Sequence, residues 1–231
     1  MPPIPGTSLW QTALVPITAR HEPPARLSPA RLVEELRANA PLLAGTAAGV
    51  GAGLAIGAAD GRDNWPVYLV VLLLGAALVI VLHLRYRFSL ATRIGLAVFA
   101  LSHVAGGMLT VGDDVLYRWW LLEPILRYDN IQHAWGFGFA GRAMWEMLGS
   151  RLGPESRTPL IAWWIVVLAA GAIGASNEIV EWILTLTIPG TDVGGYDNTA
   201  RDLVANLVGG SLVGLWTARH VRSGDSPARQ S

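Results

Sequence analysis

Cysteine is absent from this 231-residue chain, which excludes disulfides, thiolate metal sites, iron–sulfur clusters and a cysteine nucleophile. Lysine is absent too. All 17 basic residues are arginine, a bias that reads as base composition and carries no functional message. Charged residues make up only 15% of the chain and the formal net charge is zero. The arginines lie in loops and tails and form no basic block, so no nucleic-acid partner is expected. No secretory leader is visible, because residues 1–40 hold prolines and scattered charges where an apolar core would have to be. The first spanning helix is expected to direct insertion itself. What is present is 52% hydrophobic residues in long runs broken by short charged loops, the composition of a polytopic membrane protein.

The expected fold class is all-α, a transmembrane bundle of six spans with both termini cytoplasmic. Residues 1–40 read as a cytoplasmic tail. In it, "SPARLVEELRANA" from Ser28 places a cap residue and a proline at the start of a short surface helix, with Leu32, Val33, Leu36 and Ala40 on one side. Residues 41–218 form the membrane domain, with spans near 41–59, 65–84, 92–112, 130–149, 160–187 and 199–218, each long enough to cross about 30 Å of hydrocarbon. Residues 219–231 form the C-terminal tail. The fourth and sixth spans are the poorest in hydropathy, because they carry Arg, Glu, Asp and Asn.

Arginine placement tests that count. Arg20, Arg26, Arg31 and Arg37, then Arg85, Arg87 and Arg93, then Arg142, Arg151 and Arg157, then Arg219, Arg222 and Arg229 fall on one side of six spans. Only Arg62, Arg118, Arg127 and Arg201 fall on the other. The positive-inside rule makes the first side cytoplasmic. Trp65, Trp119, Trp120, Trp163, Trp164 and Trp216 near segment ends suit interfacial belts. Gly45, Gly49, Gly53 and Gly57 line one ridge of the first span, a spacing that lets backbones approach closely. Packing within the bundle is the preferred reading, and a homo-oligomer face is the alternative. Gly136 and Gly141, and Gly210 and Gly214, have similar packing roles.

With this topology, polar residues on several spans fall at one depth near the outer surface. Asp129 and His133 share a face of the fourth span, one turn (about 6 Å) apart. "NEIVEW" places Asn177, Glu178 and Glu181 in the outer half of the fifth, with the two acids adjacent. Asp202 and Asn206 are four apart on the sixth, and His103 lies on the third. Bland roles compete with functional ones. Asp129 with Gln132, and Thr199 with Asp202, match helix-start capping boxes, and either histidine could bridge helices through hydrogen bonds. Arg142 and Glu146 read as an ion pair near the inner surface. Glu178 and Glu181 fit a bland role least well, since adjacent carboxylates in a span are costly and face a cavity or a partner. They are expected to share a proton, pair with an arginine such as Arg201, or bind a cation.

Acids and imidazoles on neighbouring helices are the ligand types of bundle metal proteins. His103, His133, Glu178, Glu181 and Asp202 are therefore the candidate ligands of a divalent metal ion, which would activate water or polarise a phosphoryl oxygen. Without metal, His133 oriented by Asp129 would be a general base and Glu178 or Glu181 a proton donor. No metalloprotease motif, phosphate loop or nucleophile elbow is present. "YDN" occurs at 128–130 and again at 196–198, the same start device at two outer helix ends.

"SHVAGGMLT" (102–110), "RYDNIQHAWGFGFAGRA" (127–143), "ASNEIVEWI" (175–183) and "YDNTARDLVANLVGG" (196–210) together resemble, in order and spacing, the bacterial inner-membrane family typified by YjdF, and more distantly the VanZ-like proteins. The resemblance covers roughly residues 45–218. It implies a multi-pass protein of the bacterial inner membrane and points to His103, Asp129, His133, Glu178, Glu181, Trp182, Asp197 and Asp202. Asn130 stands where the YjdF-type pattern is expected to have lysine. The resemblance supports the fold and the site, and it names no reaction.

The combined expectation is an outward-opening pocket that binds or processes an amphiphilic or lipid-linked envelope ligand among membrane lipids. Catalytic roles would fall to Asp129, His133, Glu178 and Glu181, with Asp197, Asn206 and Trp182 beside them. The alternatives are a proton- or cation-coupled transporter and a structural membrane component.

Overall fold

The computed structural model describes residues 29–187 and 194–221; the Ser28 cap and most of both tails lie outside the described residues. Six α-helices make up most of it: α1 (Pro29–Ala59), α2 (Trp65–Tyr86), α3 (Leu90–Met108), α4 (Tyr128–Gly149), α5 (Pro159–Thr187) and α6 (Tyr196–His220). By length and composition α2, α3, α5 and the Leu32–Ala59 stretch of α1 are apolar enough to cross a membrane. The charged residues of α4 and α6 lower their hydropathy, as the sequence predicts.

Local chemistry sets several boundaries. Pro66 sits in the first turn of α2, where its missing N–H has no partner to lose. α2 ends at Arg87, whose φ of 55° is left-handed. Ser89 caps α3 by accepting from the Thr92 N–H at 3.3 Å.

The structure corrects the sequence reading in two places. Among the described residues no separate surface helix precedes the first span, because α1 runs unbroken through Pro41 for 31 residues, about 46 Å. Its N-terminal turns are held by side chains of the neighbouring helices: Glu35 meets His83 at 3.4 Å and Arg87 at 3.7 Å, and Asn39 accepts from Arg93. The fold is also not purely helical. α3 ends at Met108, short of the expected 112, and the chain then builds two antiparallel ribbons before α4. β1 (Thr110–Val111) pairs with β2 (Asp114–Val115), and β3 (Trp120–Leu122) pairs with β4 (Leu126–Arg127). Gly112 at φ 64° supplies the turn of the first ribbon.

α4, α5 and α6 pack on one another as the centre of the bundle. α3 packs on α4, α1 on α3, and α2 lies outermost with no buried residue. The central helices meet backbone to backbone. A Cβ at Gly209 would collide with the Ala134 carbonyl of α4, and one at Gly141 with the Val166 carbonyl of α5. Small residues give helices in lipid the close contact that hydrophobicity cannot supply there. The first-span glycines Gly49, Gly53 and Gly57 meet Leu101, Val104 and Met108 of α3, and Gly45 meets nothing.

Candidate functional site

α4 opens at the end of the bundle that carries the ribbons, with its two sequence-predicted residues facing inward. Asp129 Oδ1 lies 3.6 Å from His133 Nε2. The other ring nitrogen, Nδ1, faces α5 and lies 3.7 Å from Glu178 Oε1. One imidazole thus stands between two carboxylates from different helices. Glu181, one turn further along α5, accepts from Asn177 Nδ2 at 2.6 Å. From α6, Asp202 is fully buried.

Both oxygens of Asp202 are engaged. Asn130 donates to Oδ1 at 2.9 Å and Asn198 to Oδ2 at 2.6 Å. These asparagines are the third residues of the two "YDN" copies, so the repeat is a clamp around one aspartate. The capping expectation is corrected accordingly. Asn130, and not Asp129 or Gln132, accepts the Arg127 N–H at the start of α4, at 3.0 Å, and α6 begins at Gly195 with no side-chain cap. Neither Asp129 nor Asp202 caps a helix start: Asp129 faces His133, and Asp202 is held by the two asparagines.

The ligating atoms form two sets around His133. Those of Asp129, His133 and Asp202 lie within 4.8 Å of one another, as do those of His133, Glu178 and Glu181. The two sets differ in what is already satisfied. Asp202 has two donors, whereas His133 Nδ1, both oxygens of Glu178 and both amide atoms of Asn206 are buried with no hydrogen bond of ordinary length and angle among the described residues; Asn206 near His133, and Thr199 and Asn177 near Glu178, approach them only loosely. Glu178 is 6% exposed and Asn206 0%. Asn206 packs on Gly174, one turn before Glu178 on α5. A buried polar group without a partner costs about 1–3 kcal/mol, and buried carboxylates without a countercharge cost more. Five such atoms at one place fit a site whose partner is a ligand.

Other predicted residues lie elsewhere. His103 is outside both sets and has a partner of its own, with its Nδ1 2.5 Å from the Tyr117 hydroxyl and its ring stacked near Tyr68 and Phe99. Burial pushes the Tyr117 hydroxyl well above its usual range, and the hydroxyl also donates to the His103 carbonyl at 3.1 Å. Trp182 is 61% exposed on the outer face of α5. Asp197 points outward and pairs with Arg201 at 2.7 Å. Arg201 therefore answers Asp197 and not the glutamates of α5, contrary to one expectation for that pair.

Arg142 and Glu146 do pair, at 3.4 Å, about 14 and 20 Å from His133 along α4. They belong to a wider network that the sequence left unread. Glu146 accepts from the Ser89 N–H at 2.9 Å, Ser89 Oγ at 2.6 Å and Thr92 Oγ1 at 2.7 Å. Arg142 donates to Thr92 and Thr217 and lies over Trp216. Each group here has a partner. This network joins α3, α4 and α6, and the open cluster lies at the other end.

Sequence reasoning missed Asn130 and Asn198 as ligands of Asp202, and Tyr117 as the partner of His103. The repeated "YDN" was the available signal for the first pair; nothing in the spacing flagged Tyr117.

No curated protein and no solved structure shows significant similarity to the chain. The sequence pattern of one family, described as predicted membrane proteins, matches residues 41–223, which span all six helices apart from the first turns of α1. Apolar helices and a continuous match of that length agree: the chain is a multi-pass membrane protein and belongs to the DUF2238 family.

Proposed function

We propose that the outer cluster binds a divalent metal ion through His133, Glu178 and Glu181, and that the bound ion holds or activates an amphiphilic, lipid-linked envelope ligand. The observation that carries the reading is the convergence of buried atoms without an ordinary hydrogen bond, His133 Nδ1, both Glu178 oxygens and the Asn206 amide. Two atoms each about 2.1 Å from one metal stand at most about 4.2 Å apart. The 3.7 Å between His133 Nδ1 and Glu178 Oε1 lies inside that bound. One imidazole and two carboxylates leave a coordination position open, as in catalytic sites, and suit a first-row divalent ion. Such an ion would act as a Lewis acid or lower the pKa of a bound water. Asp129 would orient His133 from its far side.

The same reading takes all six helices as spans, with both termini cytoplasmic, in a bacterial inner membrane. α4 and α6, at 22 and 25 residues, are long enough to cross, and the arginine distribution supports the orientation. The motif resemblance to the YjdF-type and VanZ-like proteins supports the location. His103, with Tyr117 as its partner, serves the fold in this reading and is not a ligand.

The test is elemental mass spectrometry on detergent-purified protein, wild type beside a His133→Ala, Glu178→Gln double variant. Stoichiometric divalent metal that disappears in the variant is the expected result. Metal-free wild type, after purification without chelator and with added divalent ions, would overturn it and move the four carboxylates to proton- or cation-coupled transport.

A further inference from the structure

Two arginines stand at the mouth of the cluster: among the described residues Arg127 makes no ion pair with its acids, and Arg201 pairs through Nε with the exposed Asp197 at 2.7 Å. Arg127, the last residue of β4, holds its guanidinium 4.2 Å over the ring of Trp120, and Arg201 of α6 reaches the same ring from 5.6 Å. Trp120 and Arg127 are register partners across the ribbon, and Arg201 Nη1 donates to the Pro124 carbonyl in its turn at 2.7 Å. The ribbon and α6 thus hold both guanidiniums against one aromatic ring. Among the described residues, neither pairs with Asp129, Glu178, Glu181 or Asp202. Arg127 Nε is buried and has no partner. Among the described residues its one side-chain hydrogen bond is long, 3.5 Å from Nη1 to Asn198 Oδ1, and Asn198 is a residue that holds Asp202.

We infer that Arg127 and Arg201 form a phosphate subsite, and that the ligand of the neighbouring metal cluster carries a phosphate monoester or pyrophosphate group. The inference rests on the metal reading above, since without a cation the carboxylates would repel such an anion. Guanidinium forks match phosphate oxygens two at a time, and a ring beneath them holds their planes in place. α4 and α6 both begin here, so their positive dipole ends face the same anion. Phosphate on the arginines would leave one of its oxygens, or the ester beyond it, turned toward the metal. Leu122 and Ile125 of the ribbon, 56% and 68% exposed, give an alkyl chain an apolar path into the outer leaflet.

The test is calorimetric titration of detergent-purified, metal-loaded full-length protein with three probes: inorganic phosphate, inorganic pyrophosphate, and a short-chain phosphatidic acid below its micelle concentration. A short-chain phosphatidylcholine is the control. Binding of a phosphate probe but not the control, weakened at least ten-fold in Arg127→Gln and less in Arg127→Lys, is the expected result. Preference for the lipid probe assigns a lipid phosphate, and equal or tighter pyrophosphate binding assigns a soluble one. Arg201→Gln is a second variant should Arg127→Gln fail to fold. A wild type that holds its metal but binds no phosphate probe, or binds them equally after both substitutions, would overturn the inference and leave the metal reading intact. Arginine-dependent phosphate binding to protein that holds no metal would overturn the metal reading alone.

Discussion

Glu178 and Glu146 are equally buried, each 6% exposed, yet neutralising them should move stability in opposite directions. Glu146 accepts three hydrogen bonds and pairs with Arg142. Glu146→Gln leaves that guanidinium buried without its countercharge. Breaking a buried pair costs about 3–5 kcal/mol, and the lower end applies because Arg142 keeps Thr92, Thr217 and Trp216. Glu178 accepts no hydrogen bond of ordinary length and, among the described residues, has no arginine partner, only His133 at 3.7 Å, so in chelator Glu178→Gln removes a buried acid that is weakly offset. A gain of about 1 kcal/mol is expected, the pattern of a site kept for function at the expense of stability. For a chain of this size 1 kcal/mol moves Tm by roughly 2–4 °C. The two variants should therefore separate by about 8–16 °C in thermal unfolding followed by tryptophan fluorescence. Divalent metal at a hundred times its Kd should then raise the wild type by about 2.7 kcal/mol and leave Glu178→Gln unmoved. A Glu178→Gln variant that loses as much stability in chelator as Glu146→Gln would refute the argument, because Glu178 would then be a structural partner.

Since the chain has no cysteine, single cysteines report topology directly: Asp113→Cys should react with an impermeant maleimide in intact cells and Ser150→Cys only after permeabilisation, and the reverse would invert the orientation. Asn130→Ala and Asn198→Ala each remove one donor from Asp202, at about 1.5–3 kcal/mol for a hydrogen bond to a charged group. In a double-mutant cycle their costs should not add, because both act on one carboxylate; strict additivity would show that the clamp is not a unit. Gly209→Val should cost at least 1–3 kcal/mol by overpacking where α6 crosses Ala134, whereas Gly45→Val, with nothing near it, should be nearly neutral. Equal losses in Tm at the two positions would contradict the crossing.

Much of the site was legible because a charge inside an apolar run is conspicuous. Asp129, His133, Glu178, Glu181, Asp202 and Asn206 all stand out against their neighbours, and helical spacing alone puts His133 one turn from Asp129. Asn130 and Asn198 did not stand out, since an asparagine near a helix start has an ordinary capping role and its true partner, Asp202, is 72 residues from Asn130. His103 illustrates the opposite case. It has the right residue type at the right depth, but Tyr117 from the ribbon region occupies its Nδ1, and no local pattern announces that contact. The ribbons themselves, only two or three residues to a strand, are too short for a periodicity to show.

The sequence by itself determined that this chain lives in a membrane, where its long helices fall, and which ionisable residues sit within them. Those properties follow from composition and from the 1.5 Å rise of a helix, which are local. Only the tertiary structure decided which acids are answered and which are open. Glu146 and Glu178 read alike along the chain, and the difference between them is made by Ser89, Thr92 and Arg142 close around one and, among the described residues, by only the more distant His133 beside the other. Desolvation and pairing depend on what other helices bring to a position, and that is fixed by how α4, α5 and α6 close on one another at Gly141 and Gly209.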